Sequence, residues 1–148
     1  MGTTNIEVNI HDQIMTQLKG ISGGTNYNFN IPDRDIFTSY KYPGDVNPTR
    51  GKPIICLGET IIQPLTPIMR GMFNMPIVQE IWGYVHDSDD PHREAKKLCS
   101  DIRIALLGAQ SLKDLVTHME MEASIGAMDN MGILLVSLSV LTHYDTDE

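Results

Sequence analysis

The sequence predicts an α+β domain: an antiparallel or mixed β-sheet with two α-helices packed on one face, plus a protruding polar loop or hairpin. Three observations predict it. Two stretches, near the N-terminus and after Pro91, repeat apolar residues at helical spacing. Several others alternate apolar and polar residues, as half-buried strands do. The order is helix, strands, helix, two-strand hairpin, which suits a sheet backed by helices. The 148 residues amount to one domain, 1–148, able to bury roughly two-thirds of its unfolded surface in one core.

Ile6, Ile10, Ile14 and Leu18 recur every four residues with Met15 beside them, which makes one apolar helical stripe. Thr4 and Glu7 stand at capping-box spacing, and Gly20 and Gly23-Gly24 stop the helix. Residues 25–53 read as a hairpin and a long loop. Tyr27, Phe29 and Ile31 alternate with asparagines as on a half-buried strand, Pro32-Asp33 suggests a turn, and Asp35–Tyr40 is a second candidate strand. Tyr42-Pro43-Gly44-Asp45 and Asn47-Pro48-Thr49-Arg50-Gly51 then form a long polar loop. In a small domain such a loop is functional or disordered.

Ile54–Leu57 reads as a short buried strand. Ile61–Met75 is apolar but interrupted by Pro64 and Pro67, so an irregular or edge segment is expected. Ile77–His86 carries bulk on both faces, as a central strand covered on both sides would. Asp90 before Pro91 opens the second helix, with a carboxylate cap and proline at the first helical position. Its apolar face is Ala95, Leu98, Cys99, Ile102, Ala105 and Leu106, and Gly108 ends it. In the last hairpin, folding at Asp129-Asn130 pairs Met121 with Leu138 and Glu120 with Ser139. That register lays apolar face on apolar face.

Composition narrows function. Hydrophobic residues are 41% and charged residues 20%, ordinary for a globular protein. A net charge of −8 argues against a nucleic-acid grip, which relies on clustered Lys and Arg. Cys56 and Cys99 sit in apolar patterns and read as reduced core thiols of a cytoplasmic protein. No segment reads as membrane-spanning or as a signal peptide, and Ile6 stands where a myristoylation motif wants Ser or Thr.

Two clusters invite a chemical reading. His86, Asp87, Asp89, Asp90 and His92 combine hard and borderline metal ligands within a few residues. A strand end running into a capped helix accounts for the same residues, and the spacing matches no zinc or EF-hand pattern. His118, Glu120 and Glu122 share one strand face, the raw material of acid–base catalysis. Alternation alone puts polar residues on a solvent-facing side. A small metal-dependent hydrolase is the competing class. No phosphate loop or nucleophile elbow occurs, so the sequence suggests no catalytic, metal or cofactor site and points away from an enzyme. The candidate functional residues are contact residues: Tyr40, Tyr42, Arg50 and Lys52 in the long loop, and Met69, Met72 and Phe73 in the proline-broken segment. Aromatic and Arg anchors and adaptable Met surfaces are typical of interfaces.

The order of elements, with Leu18-Lys19-Gly20 closing the first helix, Pro53-Ile54-Ile55-Cys56-Leu57, Ile81-Trp82-Gly83-Tyr84-Val85 entering an acidic turn, and the helix around Ala95–Ile102, resembles the tail-terminator and tail-completion proteins of tailed bacteriophages, the minor tail protein U-like group. The resemblance covers most of the chain. It implies a non-enzymatic virion protein, assembled in the host cytoplasm and placed at the tail/neck junction. Copies of the chain, a hexamer by the family pattern, would form a ring on the head-proximal end of the tail tube. The ring would stop tube polymerisation and present a docking surface to the head or neck. Partners would then be the chain itself, the tail tube protein, and a neck, head-completion or connector protein. DNA would pass through the lumen without specific binding, and no membrane is involved. A neck or head-completion (head–tail joining) protein is the alternative within this class.

Overall fold

The N-terminal isoleucine stripe becomes helix α1 (Ile6–Leu18), with Ile6, Ile10, Ile14, Met15 and Leu18 all buried. The computed structural model describes residues 5–145. Thr4, half of the expected capping box, lies outside them. Asn5 stands at the cap position and makes no side-chain cap bond.

The strands are β1 (Ile36–Phe37), β2 (Ile54–Ile62), β3 (Thr66–Met69), β4 (Met72–His86), β5 (His118–Met128) and β6 (Met131–Asp145). They form one sheet in the order β1-β2-β4-β6-β5, with β3 also on β4. Only β1 pairs in parallel, with β2, so the sheet is mixed. β4 pairs with β6 along its whole length, from Met72↔Asp145 to His86↔Met131. The final hairpin has the expected register, Met121↔Leu138 and Glu120↔Ser139, around Asp129-Asn130. Asp129 takes a φ of 54° there, a left-handed conformation that Asp and Asn tolerate better than most residues.

Helix α2 (Pro91–Leu107) begins as anticipated: Asp90 caps it by accepting from the Arg93 N–H at 3.1 Å. Gly108 closes it, its N–H reaching the Ile104 carbonyl. A short α3 (Gln110–Lys113) follows and buries Leu112. Apolar residues of α1 and α2 share one buried cluster with Ile55, Leu57, Ile77, Ile81, Val85, Leu134, Val136, Leu138 and Val140. Both helices therefore cover the same face of the sheet. The contact is close at Gly132, where a β-carbon would stand 2.3 Å from the Pro91 carbonyl oxygen.

Four expectations are corrected. Tyr27–Ile31 is not a strand. It crosses the helical side as an extended segment, with Phe29 and Ile31 in the main core and Ile31 N–H bonded to the Ile21 carbonyl. Its pairing is supplied by α2: Asp101, fully buried, accepts from the Asn28 and Phe29 N–H groups at 2.8 and 2.9 Å. Alternation reports one-sided burial, and a coil lying over helices satisfies it as well as a strand does. Asp35–Tyr40 shortens to Ile36–Phe37, and a 3-10 turn at Asp33–Asp35 supplies the turn expected at Pro32-Asp33.

The loop after Tyr40, expected to protrude, instead folds back onto the second face of the sheet. Val46 joins Ile54, Cys56 and Tyr84 in a second buried cluster, flanked by Phe37, Tyr40 and Trp82. The Tyr84 hydroxyl donates to the Lys41 carbonyl at 2.7 Å. β4 is thus covered on both faces at this end. The apolar residues of the loop outweigh its polar character because Cys56 and Tyr84 would otherwise face water.

Finally, Ile61–Met75 is regular, and only its part up to Met69 lies at the edge; Met72–Met75 belong to β4, between β3 and β6. β2 runs on past a bulge between Leu57 and Thr60, resumes as β3 after Gln63–Leu65, and turns at Arg70-Gly71 into β4. Gly71 has a φ of 75°, a conformation glycine adopts freely. The buried Gln79 fills the bulge, donating to the Glu80 and Gly58 carbonyls while Thr60 donates to its side-chain oxygen.

Candidate functional site

The bulge and the two prolines give the chain its most unusual surface. Every residue from 61 to 70 is exposed. Among the described residues the large exposed hydrophobics number nine, and Ile61, Ile62, Leu65, Ile68 and Met69 are five of them. Met69, at the tip, is 61% exposed. Between Glu59 and Glu80 the only charged side chain is Arg70. The result is an apolar hairpin arm with one cation at its end. Isolated surface hydrophobics need no explanation, but a concentrated patch marks a contact surface. Pro64 and Pro67 carry no backbone N–H, and proline on an edge discourages strand addition.

Met69, Met72 and Phe73 are brought together on this arm: Met69 and Met72 close the hairpin, and Phe73 lies between Pro67 and Tyr144. The sequence reading missed Ile61, Ile62, Leu65 and Ile68. The signal available was the absence of charge over residues 60–69, combined with a Gly turn.

Tyr40, Tyr42, Arg50 and Lys52 lie elsewhere. Tyr40 is half-buried, packed edge-on against Trp82 at 5.4 Å and Tyr42 at 4.9 Å between ring centroids. It supports the second core, and Tyr42, 65% exposed, is left as the surface aromatic. Arg50 and Lys52 border an open cleft of about 630 Å³ whose other wall includes Asp87, Asp89, Asp90 and Arg93. Arg50 is bridged to His86 through the backbone. The two groups of candidate residues therefore sit at opposite ends of β4, which spans 15 residues, about 45 Å at 3.3 Å per residue.

The acidic turn is explained by its backbone. Asp87 accepts from the Asp89 N–H at 2.8 Å and the Asp90 N–H at 3.4 Å, and Asp90 caps α2. Those N–H bonds, with the nearby Arg50 charge, hold the Asp87 carboxyl below its ordinary range. Among the described residues, no group of three or more His, Cys, Asp or Glu is placed to hold a metal ion. His118 and Glu120 contact each other at 2.9 Å, both well exposed. Their face continues across Glu122, Ser137 and Glu80 in register. None of β2, β4, β5 and β6 contains a Lys or Arg, so His118 is the one basic side chain in contact with Glu80, Glu120 or Glu122 among the described residues.

Cys56 and Cys99 are free and buried. Burial raises the pKa of both thiols, and of the Tyr84 phenol, above their ordinary values. No helix among the described residues is long and apolar enough to cross a membrane. No family model matches the chain, and no curated protein matches it significantly.

Proposed function

We propose that this chain is a non-enzymatic structural protein of a tailed-phage virion, of the tail-terminator type. In this reading its copies form a ring, of six subunits by the family pattern, on the head-proximal end of the tail tube. The ring stops tube polymerisation and gives the head or neck a surface to dock on. The observation that carries the reading is the pair of contact surfaces at opposite ends of β4: an exposed apolar arm at one end, and a charged cleft beside Tyr42 at the other. A terminator must offer the tube one face and the neck a different one, and a head-to-tail contact that does not close into a ring would run on as a filament. The open face of the sheet, with Glu80, Glu120 and Glu122 and no Lys or Arg on its long strands, would repel phosphate and so suits a lumen that DNA traverses without sticking.

The test is tube assembly in vitro. Tail tube protein polymerised with increasing amounts of this chain should yield shorter tubes, each bearing a cap of this protein at one end by electron microscopy. Tubes of unchanged length without a cap would refute the terminator assignment. Labelling on the head side of the neck in whole virions would instead favour the head-completion alternative.

A further inference from the structure

The apolar arm has a counterpart on the same molecule. Between α1 and the sheet lies a recess of about 220 Å³, lined by Val8, Ile10, Ile62, Ile77 and Val140 with Glu7 at its edge. It is smaller than the roughly 300–1,000 Å³ typical of sites for drug-sized ligands, and it suits protein side chains better than a cofactor. Val8, on its rim, is 55% exposed although apolar. The charges also match. Glu7 is the only carboxylate lining the recess, with His11 beside it, and α1 has no Lys or Arg, whereas Arg70 is the only charge on the arm between Glu59 and Glu80. The arm tip cannot reach this recess within its own chain, because the ladder holds it to β4 through Thr66↔Asn74, Pro67↔Phe73 and Met69↔Met72. An arm that enters the recess comes from another copy.

We propose that the arm tip of one copy, Ile68, Met69 and Arg70, seats in the recess between α1 and the sheet of the next copy, with Arg70 against Glu7 of α1. The contact joins two different patches, so it is head-to-tail and generates a ring when the rotation closes. This deepens the terminator reading by naming its subunit contact, and it commits to a second copy of this chain as the occupant.

The experiment measures solution mass by light scattering on the full chain from micromolar to millimolar concentration. The unsubstituted chain should assemble with concentration. Met69→Asp removes the knob and Val8→Asp spoils the recess. Both positions are exposed, so folding should be unaffected, which thermal melts verify. Each variant alone should associate at least about thirty-fold more weakly, as loss of an interface anchor does. An equimolar mixture should form heterodimers and stop there, because one good arm and one good recess remain per pair. Should Val8→Asp fail to fold, Arg70→Glu and Glu7→Arg replace it: each alone weakens assembly and the two combined in one chain restore it. A chain monomeric throughout, a Met69→Asp variant that assembles normally, or a mixture that stays monomeric would each overturn the proposal. Failure here is separable from failure of the terminator reading. Intact tube capping by Met69→Asp sinks only the arm contact, and arm-dependent rings that leave tube length unchanged sink only the terminator assignment.

Discussion

Replacing Asp101 with alanine should release the Tyr27–Ile31 segment from the helical layer. The carboxylate is fully buried and accepts three hydrogen bonds: Asn28 N–H at 2.8 Å, Phe29 N–H at 2.9 Å and the Asn28 side-chain amide at 3.1 Å. Hydrogen bonds to a charged group contribute about 1.5–3 kcal/mol each. Asn28 is exposed, so water can replace what it loses. Phe29 is buried, and its stranded N–H costs about 1–3 kcal/mol. Relief from desolvating a carboxylate offsets part of this. The net expectation is a loss of about 3 kcal/mol, a large share of the roughly 5–15 kcal/mol that holds a domain together. With a urea slope of about 2 kcal/mol/M, the unfolding midpoint should fall by about 1.5 M at unchanged slope. Asp101→Asn keeps one acceptor and should lose about half as much. Hydrogen exchange at the Phe29 amide should accelerate in both variants. A midpoint shift under about 0.5 M for Asp101→Ala, or unchanged exchange at Phe29, would refute the argument that this carboxylate substitutes for strand pairing.

Deleting residues 42–52 should destabilise the fold, because Val46 leaves the cluster over Cys56 and Tyr84; a lowered melting temperature and thiol labelling of Cys56 in the native state are the readouts. Gly132→Ala should cost about 1–3 kcal/mol by overpacking, since the new methyl meets the Pro91 carbonyl oxygen at 2.3 Å and Val85 Cγ2 at 2.8 Å; chemical denaturation measures it. Stability should also decline in alkali. The Cys56, Cys99 and Tyr84 groups have folded-state values raised above the ordinary 9.0 and 10.0. Above about pH 9 the unfolded chain therefore binds fewer protons than the folded one, and their contribution, complete below that pH, is lost as pH rises. Melting temperatures from pH 8 to 10.5, compared with a Cys56→Ala, Cys99→Ala double variant, test the sign: the variant should show the flatter slope.

The legible parts of the candidate site were those with local causes. Asp90-Pro91 announced a helix start, and the same geometry accounts for the acidic turn that resembles a metal cluster. Met69, Met72 and Phe73 belonged to a segment whose prolines marked it as an edge. Tyr40 was read as a loop contact, but Trp82, distant in sequence, packs against it and makes it part of a core. Arg50 and Lys52 could not be placed beside Asp87 from spacing alone, because that meeting depends on the loop crossing to the end of β4.

Periodicity, capping and turn chemistry act over a few residues, so the chain alone determined both long helices, the central strand and the register of the last hairpin, Met121 opposite Leu138. Exposure is different, because it depends on what else comes to lie on a residue. Ile55 and Ile62 are the same amino acid on the same strand, yet one is fully buried and the other 49% exposed. The helices reach over the first and stop short of the second. Only the assembled tertiary structure decides that, and with it which apolar residues become core and which remain free to meet a neighbour.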